Sequence, residues 1–187
     1  MKTLILLAFM LIANVFADGT QEMFCDDKSL SYCINHFDRQ CEAKNYNACF
    51  IVGELYREQE QYGKSKKYYE MVCDKANSKD SYELEWIDGE VSEIPAIIGM
   101  KGSCRALVAF YQKGYGVRQS YEKVLHYSKK ACDLGDGGGC GMLGTLYHSG
   151  IGVKQNYSKA KELFGKACDL GEQIGCDNYK KLKEMGY

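Results

Sequence analysis

Ten cysteines set the frame: Cys25, Cys33, Cys41, Cys49, Cys73, Cys104, Cys132, Cys140, Cys168 and Cys176. Four successive pairs are eight residues apart, and Cys104, Cys140 and Cys176 are each separated by 36. The intervening residues keep step. The stretch from Cys104, with ALVAFYQKGYGVRQSYEKVLHYSKKACDLG, stands over the stretch from Cys140, with MLGTLYHSGIGVKQNYSKAKELFGKACDLG. A shorter copy starts at Cys49 and is four residues tighter around Gly63. Repetition at this period predicts a stacked solenoid, because one such unit cannot bury its apolar face alone.

Each copy reads as two helices. Cys140, Leu143, Gly144 and Tyr147 fall at i, i+3, i+4 and i+7, as do Cys104, Leu107, Val108 and Tyr111, and Cys49, Val52, Gly53 and Tyr56. That spacing makes one apolar stripe on a first helix. The second helix carries Tyr157, Ala160, Leu163, Phe164 and Ala167, or Tyr121, Val124, Tyr127, Ser128 and Ala131. Between them, SGIGVKQN and KGYGVRQS supply turn glycines, and Asn156 and Ser120 stand where a helix is capped.

Helix geometry constrains the cysteines further. Residues eight apart in one straight helix are roughly 12 Å apart, whereas a disulfide needs Cα atoms within about 7 Å. Each pair must therefore straddle a turn between consecutive helices. This reading pairs Cys132 with Cys140 and Cys168 with Cys176. RQCEAKNYNACFIVGELY copies KACDLGDGGGCGMLGTLY, which pairs Cys41 with Cys49 and leaves Cys25 for Cys33; Cys33–Cys41 has the same spacing and stays open. Cys73 is left for Cys104. A short bridged loop contributes about 2.5 kcal/mol in the chain-entropy model. A metal site is not expected, because CxxC is absent and His36, His126 and His148 have no ligand spacing.

Residues 1–17, MKTLILLAFMLIANVFA, read as a secretory signal peptide: Lys2, an apolar run from Leu4 to Ala13, and small residues at Val15 and Ala17 before cleavage. The run is too short to span a membrane comfortably. A periplasmic or secreted location is expected, and it suits an even cysteine count. The net charge of −1 argues against nucleic acid.

The motif LGTLYHSGIGVKQNYSKAKELFGKACDLG resembles a Sel-like repeat, a relative of the tetratricopeptide repeat. With C-x7-C joining helices behind a secretion signal, the chain is similar to the Helicobacter cysteine-rich protein family. The resemblance covers residues 41–73 and 104–180, with 25–40 as a partial copy. It implies an all-α, right-handed superhelical solenoid of disulfide-linked helix-turn-helix repeats. The expected organisation is a signal peptide at 1–17, a partial repeat at 18–40, repeats at 41–73, 104–139 and 140–175, an insertion at 74–103 and a polar cap at 176–187. The insertion holds Asp80, Glu83, Glu85, Asp88, Glu90 and Glu93 without a basic residue between them, and also Trp86 and Pro95. An inter-repeat loop with Trp86 packed inward is the plainer reading, and a recognition element the sharper one.

Two functions follow from the resemblance. The first is a monomeric scaffold for a protein or peptide ligand, or a cell-wall-related small molecule. Its contact positions on the first helices are Ile51, Glu54 and Leu55; Ala106, Ala109 and Phe110; and Met142, Thr145 and Leu146. Some of these are equally suited to packing between repeats. The second is β-lactam hydrolysis, an activity attributed to the cysteine-rich family. Its serine form uses S-x-x-K with S-D-N and K-T-G. Ser120–Lys123 and Ser158–Lys161 match the first string, but they occupy non-equivalent repeat positions and the other two strings are absent. No catalytic set and no cofactor is assigned. The glycines at 135 and 137–139 lack a following Lys-Ser/Thr and read as an inter-helix turn.

Overall fold

The computed structural model describes residues 29–76, 86–87, 90–91 and 97–187. The leader at 1–17, Cys25 and most of the acidic insertion lie outside the described residues. The chain divides into two units, residues 1–36 and 37–187. In the first, the described part is the start of a helix on which Tyr32 and His36 stack, with ring centroids 6.3 Å apart.

Eight helices are described: α1 (Leu30–Glu42), α2 (Tyr46–Glu58), α3 (Tyr62–Lys75), α4 (Ile97–Lys113), α5 (Tyr121–Asp133), α6 (Gly137–Ser149), α7 (Tyr157–Asp169) and α8 (Gln173–Glu184). Between α3 and α4, β1 (Trp86–Ile87) and β2 (Glu90–Val91) form a short antiparallel ladder with Trp86 opposite Val91. The all-α reading therefore holds, with one small hairpin inside the insertion.

Caps start four of the helices. The side chains of Asn45, Ser120, Asp136 and Asn156 accept from the backbone N–H of Ala48, Lys123, Gly139 and Lys159 respectively. Each satisfies an N–H that the first helical turn leaves unpaired. The stops recur as well. After α5, Asp136 N–H donates to the Ala131 carbonyl and Gly135 N–H to Cys132; after α7, Glu172 donates to Ala167 and Gly171 to Cys168. This closure needs a left-handed residue, supplied by Gly135 (φ 79°) and Gly171 (φ 89°).

The reversed chain then sets cysteines face to face. Cys41–Cys49, Cys132–Cys140 and Cys168–Cys176 are bridged with Cα separations of 4.6, 4.5 and 4.6 Å. Cys73–Cys104 spans the insertion at 5.0 Å. With Cys41 joined to Cys49, the alternative Cys33–Cys41 is closed. Cys33 is itself disulfide-bonded, and the expected Cys25–Cys33 pair falls on Cys25, outside the described residues.

Consecutive helices from α2 onward pack against one another, except that the insertion intervenes between α3 and α4, which still pack together. First helices also touch first helices of neighbouring units: α2 meets α4, α4 meets α6 and α6 meets α8. The largest core cluster runs from Cys41 to Leu146 and includes Tyr69, Met100, Leu107 and Phe110. Smaller layers follow around Cys140, Leu143 and Leu163, and around Phe164 and Leu182.

Candidate binding face

The first helices α2, α4 and α6 carry the nine positions expected to contact a partner, and burial divides them. Leu55, Phe110 and Leu146 are only 3%, 1% and 3% exposed. They are corrected here from contact residues to core residues. Each sits one place beyond the outward positions, and its side chain turns into the packing between units; the Phe110 ring meets Tyr62 and Tyr69 edge-on, at 5.9 and 5.6 Å. Ile51, Glu54, Ala106, Ala109 and Met142 are half-buried, and Thr145 is exposed. These six remain on the accessible side of the row.

That row is low in relief. Ala106 and Ala109 on α4, and Gly141 and Thr145 on α6, are short. The helices come close because glycines permit it. A Cβ on Gly99 would lie 2.7 Å from the Tyr46 carbonyl oxygen, and the Gly99 N–H donates to Asn47 Oδ1 at 2.9 Å. At the α4–α6 crossing Gln112 Nε2 lies 4.0 Å from Met142 Sδ.

Glu54 closes one end of the row with a fixed charge. Its carboxylate accepts from Tyr69 Oη at 2.5 Å and from Arg57 Nε at 2.9 Å. A second Arg57 nitrogen completes the ion pair. Burial alone would lower the Arg57 pKa, but the bond and charge of Glu54 outweigh it and push it up. Burial, then the Glu54 charge, pushes the Tyr69 hydroxyl up. Desolvation raises the neighbouring Glu58 carboxyl. Sequence reasoning placed Glu54 on the face but missed Tyr69 as its donor, since the two are on different helices.

A second polar chain links three helices. Lys123 Nζ donates to Tyr111 Oη at 2.9 Å, Tyr111 Oη donates to Glu70 at 2.9 Å, and Glu70 pairs with Lys66 at 3.3 Å. Lys123 lies 4.5 Å from the Tyr111 ring centroid, and its pKa is raised, chiefly by the Tyr111 bond. This bears on the two S-x-x-K strings. Ser120 Oγ is occupied as the cap of α5, and the Lys123 amine goes to Tyr111. Ser158 is exposed, and the Lys161 amine donates to the Tyr187 carbonyl. No group of three or more metal-binding side chains occurs among the described residues, and none of their helices is long and apolar enough to cross a membrane.

Comparison with known proteins agrees with this architecture. The Sel1 repeat family model matches residues 104–136 and 139–172. No curated protein matches the chain. Among solved structures, Helicobacter pylori cysteine rich protein B is 25% identical, with a TM-score of 0.54 over 83% of this chain and 98% of that one. A Sel1 repeat protein from Oxalobacter formigenes is 18% identical, with a TM-score of 0.61 over 79% and 97%. A protective antigen of uropathogenic Escherichia coli with an SLR fold is 18% identical, with a TM-score of 0.63 over 82% of this chain. The chain spans 29% of that antigen's length. The four described bridges and the likeness to the Helicobacter protein fit an oxidising, extracytoplasmic setting. The chain thus carries Sel1 repeats, and its fold is that of the Sel1-repeat solenoids.

Proposed function

We infer that the protein is a secreted, monomeric scaffold whose first-helix row holds an extended segment of a protein partner. The observation that carries this reading is the continuous strip of short or half-exposed side chains: Ile51, Ala106, Ala109, Gly141, Met142 and Thr145. These residues keep part of their surface open, on helices that touch from unit to unit. Sel1-repeat folds are interaction scaffolds, and a low-relief strip between packed helices admits a peptide backbone. Glu54, held by Tyr69 and Arg57, ends the strip in a charged pair. In this reading the leader at 1–17 is removed after Ala17, and residues 41–73, 104–139 and 140–175 are the repeats that supply the strip.

The test is selection from a displayed peptide library on the oxidised protein, followed by variants that fill the strip. Ala109→Arg and Thr145→Arg should abolish binding while circular dichroism shows both variants folded. Undiminished binding by both folded variants would overturn the reading. The hydrolytic alternative is tested separately with a chromogenic β-lactam: turnover lost on Ser120→Ala or Ser158→Ala would replace the scaffold reading.

A further inference from the structure

A different part of the fold carries a second surface. The turns joining first to second helices, residues 114–120 and 150–156, share one edge and one construction. Gly114 and Gly116, and Gly150 and Gly152, take positive φ. Gln119 Nε2 donates back to the Gln112 carbonyl at 3.0 Å, and Gln155 to the His148 carbonyl at 2.8 Å. Both turns are therefore fixed, and each holds out an apolar tip: Tyr115 at 43% exposure and Ile151 at 42%.

The tips are tied to the first residue of the preceding second helix. The Tyr115 ring stacks on Tyr62 at 5.4 Å. In the next turn a Cβ on Gly152 would lie 3.1 Å from the Cβ of Tyr121, so that turn also packs on the first residue of its second helix. One repeat further, Tyr187 stands 36 residues after Ile151 and packs on Tyr157 at 4.6 Å. Two tyrosine pairs, with Tyr121 at the equivalent place between them, thus recur at the repeat period. Tyr121 and Tyr187 keep 45% and 42% exposure.

The charge on this edge departs from the rest of the chain. Residues 113–123 and 148–162 hold six cations and two acids, Glu122 and Glu162, in a protein of net charge −1. Lys159 pairs with Glu162, Lys161 donates to the Tyr187 carbonyl and Lys123 is bound to Tyr111. Lys113, Arg118 and Lys154 are exposed and have no ion pair among the described residues.

We propose that this edge binds an anionic polysaccharide, with sugar rings lying on the tyrosine pairs and their acidic groups meeting Lys113, Arg118 and Lys154. A pyranose offers an apolar C–H face to an aromatic ring and hydroxyls to the tyrosine tip. A polymer of such rings matches exposed tyrosines, Tyr115, Tyr121 and Tyr187, repeated once per unit. An acidic peptide would satisfy the cations and leave the rings unused. A lipid surface would need apolar groups free to enter it, whereas each of these rings is more than half packed.

The test is equilibrium binding of the oxidised full chain to polygalacturonate, with neutral amylose, poly-glutamate and anionic phosphatidylglycerol vesicles as comparison probes. Polygalacturonate should bind, weaken as salt rises, and exceed all three others. Arg118→Glu with Lys154→Glu should lower affinity at least tenfold. Tyr115→Ser should lower it severalfold, and Ile151→Tyr should raise it, an effect that misfolding cannot produce. No binding, equal binding to poly-glutamate, preference for vesicles, or indifference to both ring variants would overturn the proposal. Ala109→Arg on the first-helix row should leave this binding unchanged, so the two surfaces fail or stand separately.

Discussion

Lys44 occupies the left-handed position that glycine takes in the equivalent turns. Its φ is 68°, against 79° and 89° for Gly135 and Gly171, and its N–H donates to the Cys41 carbonyl as theirs do to Cys132 and Cys168. A residue with a Cβ costs roughly 1–2 kcal/mol in this conformation, partly offset by the greater unfolded-state freedom of glycine. Lys44→Gly should therefore stabilise the protein by about 0.5–1 kcal/mol in urea unfolding. A loss of stability would mean that the Lys44 side chain contributes more than its backbone strain removes. A complementary exchange lies deeper. The missing Cβ of Gly53 faces the Tyr69 ring at 2.6 Å, and that of Gly144 faces Phe164 at 2.9 Å. The equivalent places in the middle repeat hold Val108 and Ser128, both buried. Gly144→Val should cost about 1–3 kcal/mol through overpacking. Adding Phe164→Ser should cost less than the two single losses summed, with a coupling of at least about 0.5 kcal/mol; strict additivity would refute the exchange. The glycine-to-lysine change was readable by laying the repeats over one another. The exchange of large for small across a helix pair was not, because it depends on which second-helix residue faces which first-helix residue.

The helices are joined by tyrosines as well as by sulfur. Tyr68 Oη donates to Asp38 at 2.6 Å and its ring stacks on Tyr56 at 5.7 Å; Tyr111 and Tyr127 stack at 5.7 Å. Burial, then the Asp38 bond, raises the Tyr68 pKa; burial, then the charges of Asp74 and Glu70, raises that of Tyr127; burial and Glu54 raise that of Tyr69. A hydroxyl whose folded pKa is raised keeps its proton while the unfolded chain gives its own up. The folded state then binds more protons, and stability falls as pH rises. The contribution is intact below about pH 10, the ordinary tyrosine value, and is lost progressively above it. Chemical unfolding followed from pH 8 to pH 12 should show a steep alkaline loss. Tyr69→Phe should make the slope shallower, and an unchanged slope would refute its share. Helix positions, turn glycines and caps were legible in the period, because they answer to local rules. The carboxylate partners Asp38, Glu54 and Glu70 were not, since each reaches its tyrosine across 30, 15 or 41 residues of sequence.

At the scale of the molecule, each described bridge joins one helix to the next. A solenoid is coupled only through neighbouring interfaces, so the weakest junction limits cooperative folding. Three described bridges close turns already held by backbone stops, two of them also by the Asn45 and Asp136 caps. The fourth, Cys73–Cys104, closes a sequence separation of 31 and joins α3 to α4 across the insertion. In the chain-entropy model it contributes about 3.7 kcal/mol, against about 2.5 for a separation of eight. Its removal also frees the junction at which Tyr111 reaches Glu70 and Gly99 reaches Asn47. Paired replacement of Cys73 and Cys104 by Ser should thus cost more stability than the same change at Cys132 and Cys140. It should also split unfolding into two transitions, one for each side of the junction. The Cys132/Cys140 variant should keep a single transition at lower urea, because the α5–α6 turn retains the Asp136 cap and the Ala131 stop. Urea unfolding followed by circular dichroism, with hydrogen exchange to assign each step, separates these outcomes. Equal losses with one transition in both variants would show that the helix interfaces alone hold the stack together across the insertion.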